Sequence, residues 1–247
     1  MELMVVTGAS RGLGLGFTRQ LLRRTGGTVI AASRSGASPA LEQLQAEWPG
    51  RVVPVACDVT DQEATRALAA RVKADHAGKK VGLVLNVAGL LHDKSGSGYM
   101  PERSLASVDA ARMQQVLAIN AIGPVLVTQA FAPSLGRGAI VANLSARVGS
   151  IGDNGLGGWW AYRMSKAALN MATVNMALEL RRKDAYAVAL HPGTTDTDLS
   201  VPFQANVKPE KLFTTDYSTG AMLDVLEGLT VDDSGAFFAF DGSRIDW

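Results

Sequence analysis

This 247-residue chain has very little cysteine, and no charge of either sign dominates. Cys57 is its single thiol, so no internal disulfide can form, which fits a reducing compartment. Twenty-four Lys and Arg stand against 23 Asp and Glu, a net charge of +1. No global field draws the chain to nucleic acid or to an anionic membrane. The sequence has no uninterrupted run of about 18 apolar residues, so no membrane span is expected. Gly8 and Arg11 break the only early apolar run, which argues against a secretory leader. His76, His92 and His191 are far apart and lack ligand spacing, so no metal site is expected. There is no low-complexity tract, linker or internal repeat. With 47% hydrophobic residues, the chain is expected to form one domain over residues 1–247.

What the chain does have begins at its N-terminus. An apolar strand over Leu3 to Val6 runs into Thr7-Gly8-Ala9-Ser10-Arg11-Gly12-Leu13-Gly14, and a helical pattern follows at once (Phe17, Leu21, Leu22). Glycines at 8, 12 and 14 remove side chains where backbone bends or approaches something closely. A helix N-terminus then offers free N–H groups, a geometry that binds phosphate. On these residues alone the turn is either a phosphate cradle or a plain β-α corner. Its spacing, Gly-x-x-x-Gly-x-Gly, is not that of the common dinucleotide fingerprint.

Buried strands are expected over residues 28–33, 52–56, 81–85, 139–144, 185–190 and 236–240. Helices are expected over about 41–48, 60–77, 108–132, 159–182 and 218–229, with a long irregular segment over 194–217. The strands read as continuous apolar runs, as strands covered on both faces do. Their alternation with helices predicts an α/β fold of Rossmann type, a doubly wound parallel sheet of about seven strands with helices on both faces. Ligands of such sheets sit beyond the carboxyl ends of the strands, where Gly8, Arg34, Asp58, Asn86, Ser145 and Pro192 fall.

Tyr162 and Lys166 are four apart on one helix face. A phenol is a poor acid–base group near neutral pH, and an adjacent ammonium lowers its pKa. The pair is therefore a candidate proton-transfer device, or else an ordinary stretch of helix surface. Ser145, at a strand end, is a candidate donor to a carbonyl oxygen or a simple cap. Asn120 lies mid-helix, four residues before Pro124, whose ring clashes with the carbonyl of residue 120. A kink there would free backbone groups for a water.

Taken together, Thr7 to Gly14, Asp58-Val59, Asn86-Val87-Ala88-Gly89, Asn120, Ser145, Tyr162-x-x-x-Lys166 and Pro192-Gly193 resemble the classical short-chain dehydrogenase/reductase family over essentially the whole chain. Ser145 to Ser150, Leu190 to Thr194 and Phe237 to Gly242 resemble, more narrowly, its C-factor and sniffer-like carbonyl reductase group. The resemblance implies that Tyr162 is the acid that protonates the carbonyl oxygen. Lys166 would tune Tyr162 and hold the nicotinamide ribose, Ser145 would orient the substrate, and Asn120 would hold a relay water. It assigns cofactor contacts to Gly8, Ser10, Arg11, Gly12, Leu13, Gly14, Ser33, Arg34, Asp58, Val59, Asn86, Ala88, Gly89, Tyr162, Lys166, Pro192, Gly193, Thr195 and Thr197. Two features depart from the family pattern: Val87 stands where a second Asn is common, and Gly152 to Gly158 lengthen the segment before Tyr162.

The second strand ends in Ser33-Arg34 and carries no acid. An acid there would bind a ribose 2′-hydroxyl and repel a 2′-phosphate. Arg34, with Arg11, can instead pair with that phosphate, which points to NADP(H). The expected activity is carbonyl reduction in the cytoplasm on a small-molecule aldehyde or ketone. Residues 1–145 would form the cofactor half, and residues 146–247 the catalytic helix and substrate rim. The rim would also draw on the loop from Leu90 to Leu105 with its Gly96 and Gly98, and on Trp159, Trp160 and Phe203. A homodimer is expected through the helices carrying Asn120 and Tyr162. The competing expectation is an NADP-binding signalling protein without turnover.

Overall fold

The computed structural model describes residues 1–93 and 98–247, so Gly96 lies outside the described residues. A seven-stranded, all-parallel sheet runs through the molecule in the order β3-β2-β1-β4-β5-β6-β9. Its strands are β1 (Leu3–Thr7), β2 (Thr28–Ser33), β3 (Val52–Ala56), β4 (Val81–Asn86), β5 (Leu135–Leu144), β6 (Tyr186–His191) and β9 (Phe237–Ala239). The chain reverses its direction of sheet growth between β1 and β4, which creates the crevice where a doubly wound sheet takes its ligand.

Alternate side chains of each strand enter two cores, as the period of two requires. Met4, Val6, Val29, Ala31, Leu83 and Leu85 pack under α1 (Gly12–Arg24), α2 (Pro39–Glu47) and α7 (Thr215–Glu227). Leu3, Val5, Ile30, Ala32, Val84 and Val141 pack under α3 (Gln62–Asp75), α5 (Gly123–Phe131) and α6 (Trp160–Leu180). Because both faces are covered, the strands read as unbroken apolar runs.

The helix expected over 108–132 is not uniform. It runs as α4 (Ala110–Leu117), a π-turn over Ala118–Ile122, and α5. Pro124 has no N–H for the Asn120 carbonyl, and widening the helix by one residue relieves the clash of its ring. Within the run Ala110–Ser134 an 18-residue window reaches a mean hydropathy of 1.5, so the run is long and apolar enough, by length and composition only, to cross a membrane. Asn120, Thr128 and Gln129 interrupt the stretch, so it is not a continuous apolar run. Val116, Val127 and Phe131 bury its inner face.

The segment 194–217 holds more structure than expected. β7 (Thr194–Thr195) pairs with β8 (Leu212–Phe213), and α7 starts at Thr215, with Thr214 accepting the Tyr217 N–H as its cap.

Candidate active site

The glycine turn joins β1 to α1 at the carboxyl edge of the sheet. Gly8 has φ +66°, and a Cβ there would stand 2.9 Å from Ala88 backbone. A Cβ on Gly14 would meet the Gly8 carbonyl at 2.2 Å, so only glycine allows this close a turn. Arg11 is the N-cap of α1 and makes no side-chain cap, and the first turn holds no acid. The leading N–H groups of Gly12, Leu13 and Gly14 therefore lack a side-chain partner, as an anion cradle requires. The Ser10 carbonyl accepts from Ser38 Oγ at 3.3 Å, which ties the turn to α2.

Around this cradle the expected cofactor residues sit at strand ends. Ser33 is buried with its Oγ unpartnered, and Arg34 beside it is exposed. Asp58 Oδ1 accepts from the Thr60 N–H and hydroxyl at 2.9 and 2.7 Å, and these bonds hold its carboxyl below the usual range. Val59 is buried against Gly123. Thr7 Oγ1 accepts from the Val87 and Ala88 N–H groups at 3.0 and 3.3 Å and so fixes the loop through Gly89. The Asn86 side-chain nitrogen donates to Asn143 Oδ1 at 2.8 Å and to Thr128 Oγ1 at 3.3 Å, and its Oδ1 has no partner.

After β6, the Pro192 carbonyl accepts from Ser218 Oγ at 2.7 Å and from Thr195 Oγ1 at 3.3 Å, which shapes the turn through Gly193. Thr197 then approaches the glycine turn, its Cγ2 lying 3.7 Å from where a Gly12 Cβ would stand. Nearby, Arg11 Nη1 is 3.5 Å from Asp198 Oδ2, and both side chains are exposed.

The four expected catalytic residues converge at the ends of β4 and β5. Ser145 Oγ donates to Asn170 Oδ1 at 2.6 Å, and Asn170 Nδ2 donates to the Gly149 carbonyl at 3.3 Å. Lys166 Nζ donates to the Leu144 carbonyl at 2.7 Å and lies 5.6 Å from the Tyr162 ring centroid. Asn120 clasps residue 90 from both sides. Its Oδ1 accepts the Leu90 N–H at 2.7 Å, and its Nδ2 donates to the Leu90 carbonyl at 2.8 Å. The same Nδ2 donates to Ser165 Oγ at 3.0 Å, which donates to the Tyr162 carbonyl at 2.7 Å. Asn120 Oδ1 and Lys166 Nζ both close on Gly89, within 3.5 and 3.9 Å of where its Cβ would be.

The electrostatics differ from the expectation that Lys166 lowers the Tyr162 pKa. Burial pushes the Tyr162 phenol well above its ordinary value, and burial pulls Lys166 down to about 7. With its ammonium turned to Leu144, Lys166 does not offset the burial of the phenol.

Trp159, Phe203 and His92 form an aromatic cluster beside Tyr162. The Trp159 ring is 4.7 Å from Phe203 and 6.2 Å, edge to face, from Tyr162. His92 is 5.9 Å from Phe203 and its Nε2 contacts the carbonyls of Asp198 and Leu199. Trp160 is exposed.

Several residues that shape the site carry no motif of their own: Asn143, Ser165, Asn170 and Glu102. Each acts through contacts distant in sequence. The one available signal is polar type within a buried run, as in Asn143 next to Leu144 and Asn170 next to Leu169.

Residues 2–208 match the short chain dehydrogenase family. The chain belongs to that family. It is 33% identical over its full length to a 1-hydroxy-2-glutathionyl-2-methyl-3-butene dehydrogenase of Rhodococcus sp. (strain AD45), which it covers completely. It is 42% identical over 146 residues to the C-signal protein of Myxococcus xanthus, a match that spans 58% of this chain and 84% of that one. Among solved structures, the NADPH-bound carbonyl reductase from chicken fatty liver superposes with a TM-score of 0.87 at 33% identity over the whole of both chains. As a short-chain dehydrogenase the protein is an oxidoreductase, with the parallel sheet and the edge crevice expected from its sequence.

Proposed function

We propose that this protein is an NADPH-dependent carbonyl reductase acting on aldehydes or ketones in the cytoplasm. The observation that carries the reading is the convergence of Tyr162, Lys166, Ser145 and Asn120 beside an α1 N-terminus free of side-chain caps. NADPH, held across the glycine turn, would supply the hydride that the carbonyl carbon receives. The residues suit that cofactor, since the turn admits no Cβ, Ser33 Oγ lacks a partner, and Arg11 and Arg34 stand exposed where a 2′-phosphate is read.

The chain's own groups then divide the work. Burial keeps Tyr162 protonated at neutral pH, so its hydroxyl can give its proton to the carbonyl oxygen as charge develops there. Ser145 would orient the same oxygen once its hydroxyl, which donates to Asn170 Oδ1 at 2.6 Å, turns to donate to the substrate instead. Lys166, near its midpoint at neutral pH, resupplies the phenolate through a water held near Asn120. Trp159 and Phe203 give the substrate an apolar wall. Residues 1–145 form the cofactor half of one domain, and residues 146–247 carry the catalytic helix and substrate rim.

The working unit is a homodimer. Ile122 at the end of the π-turn, Val125 on α5, and Met164, Met171 and Leu178 on α6 are exposed apolar side chains. Light scattering should give twice the 26.0 kDa chain mass, and a monomer at working concentration removes this part of the reading.

The test of the cofactor is a pair of Michaelis constants. NADPH should be preferred over NADH by tenfold or more, the scale of a bidentate arginine–phosphate contact of about 1.4 kcal/mol or more. Replacing Arg34 with Asp should move the preference toward NADH. Equal use of both cofactors by the unaltered protein rules the assignment out.

A further inference from the structure

Tyr162 is buried, yet it stands at the end of a helix. α6 starts at Trp160, so Tyr162 is its third residue and belongs to the turn that frays first. Lys166 sits a full turn deeper, and Ser145 is held at the end of a sheet strand. The residue before the helix, Trp159, makes no side-chain cap and adopts φ +50°, ψ +44°, a left-handed conformation that a bulky residue keeps only when its surroundings impose it. Local sequence gives this helix start no acid in its first turn and no capping side chain.

The missing cap comes from Glu102, 59 positions earlier, in the loop that follows β4. Glu102 is only 4% exposed, unusual for a carboxylate. Its Oε2 accepts the Ala161 N–H at 3.2 Å, and its Oε1 accepts from the Tyr99 hydroxyl at 3.0 Å. Its backbone carbonyl accepts the Trp159 N–H at 2.6 Å. One residue thus grips the chain at 159 and at 161, on either side of the helix start and directly before Tyr162. A carboxylate at this end of a helix also meets the positive end of its dipole.

We propose that Glu102 is a positioning residue for Tyr162, a long-range cap that holds the first turn of α6, and with it the Tyr162 hydroxyl, in register with Ser145 and Lys166. This rests on the reading of Tyr162 as the proton donor. It adds that Glu102, far from α6 in sequence, sets the donor's place. Hydrogen bonds from Arg163 to the carbonyls of Val148, Gly157 and Gly158 anchor the lengthened segment before α6, but none of them reaches the Ala161 N–H.

The experiment pairs Glu102→Ala with Glu102→Gln. Glutamine keeps an oxygen acceptor for Ala161, and its amide can donate to the Tyr99 oxygen. Two readouts are taken. Hydrogen exchange at amides 160–163 should quicken about tenfold or more in Glu102→Ala, while the strand amides stay at the wild-type rate. In steady-state kinetics with NADPH, kcat should fall about tenfold in Glu102→Ala, with KM for NADPH and one NADPH bound per chain unchanged. Glu102→Gln should stay within about threefold of wild type on both measures. If Glu102→Ala does not accumulate, Tyr99→Phe removes only the hydroxyl that orients the carboxylate, and it should show the same pattern at about threefold.

Unchanged exchange at 160–163 overturns the proposal. So does a loss of NADPH stoichiometry in step with kcat, since that is the mark of a residue needed only for folding. A wild-type protein that reduces no carbonyl overturns the proposed function instead, and the exchange data still decide whether Glu102 holds the turn.

Discussion

Lys166 reaches Tyr162 over the face of its ring, 5.6 Å from the centroid, while its ammonium donates to the Leu144 carbonyl at 2.7 Å. The two residues are thus neighbours without a hydrogen bond between their reactive groups. In this arrangement burial dominates both. The phenol is driven toward its protonated form and the amine toward its neutral form.

The first consequence concerns stability. The pKa of Lys166 is 10.5 when unfolded and about 7 when folded. Between those values the unfolded chain binds the extra proton, so this residue makes stability rise with pH, and its penalty is complete below about pH 7. Replacing Lys166 with Met removes the penalty and gives up the bond to Leu144. The variant should unfold at a higher temperature than wild type at pH 7, by about 1–2 kcal/mol net, while losing reductase activity. As pH approaches 10.5 the penalty vanishes and only the lost bond remains, so the gain should fall through zero and become a loss. Thermal melts across that range check it, and a gain that does not vary with pH contradicts the burial of this amine.

Tyr162 gives a pH prediction of the opposite kind. Its raised pKa keeps the acid form present, so kcat for carbonyl reduction should stay flat from about pH 6 to pH 9. Alcohol oxidation needs the phenolate and should climb with pH over the same range. Rate profiles in both directions check this, and an oxidation rate that falls with rising pH excludes Tyr162 as the group that titrates.

Much of this site could be read from the sequence, because its chemistry lies in short, ordered motifs. The glycine turn, Asn120, Ser145, the Tyr162–Lys166 pair and Pro192-Gly193 all fall where a doubly wound sheet places its ligand. The strands could be read because both of their faces are covered. The departures have physical causes. The π-turn at Asn120 answers a clash specific to Pro124. The orientation of Lys166 toward Leu144 depends on a strand 22 residues away in sequence. Glu102 works through a partner 59 residues distant and no local pattern marks it, while Asn170, whose partner is 25 residues distant, is marked only by its polar type in a buried run.

Ser145 illustrates a motif residue whose working state depends on such a partner. Its one hydroxyl hydrogen is donated to Asn170 at 2.6 Å, so the O–H must swing off Asn170 to donate to a substrate oxygen. Ser145→Ala should lower kcat/KM by about a hundredfold, the scale of losing one oriented contact to a developing oxyanion. NADPH affinity should be unchanged. Steady-state kinetics with fluorescence titration of NADPH separates the two, and a loss confined to NADPH binding refutes the role.

At the far end of the cleft, Asp198 stands 3.5 Å from Arg11 and competes for the charge that a 2′-phosphate would use. Asp198→Asn should tighten NADPH binding about two- to fivefold and leave NADH binding unchanged, in keeping with the small worth of an exposed ion pair. The effect should fade at high salt. Equal tightening for both cofactors would place Arg11 away from the phosphate.

The central claim is that Tyr162 delivers the proton in NADPH-dependent carbonyl reduction. Single-turnover reduction of an aldehyde and ketone panel by Tyr162→Phe protein saturated with NADPH tests it most directly. The variant should bind NADPH with wild-type affinity and lose about a thousandfold in the rate of NADPH oxidation, the scale of an oriented general acid. Oxidation of bound NADPH at the wild-type rate by that variant would contradict the account.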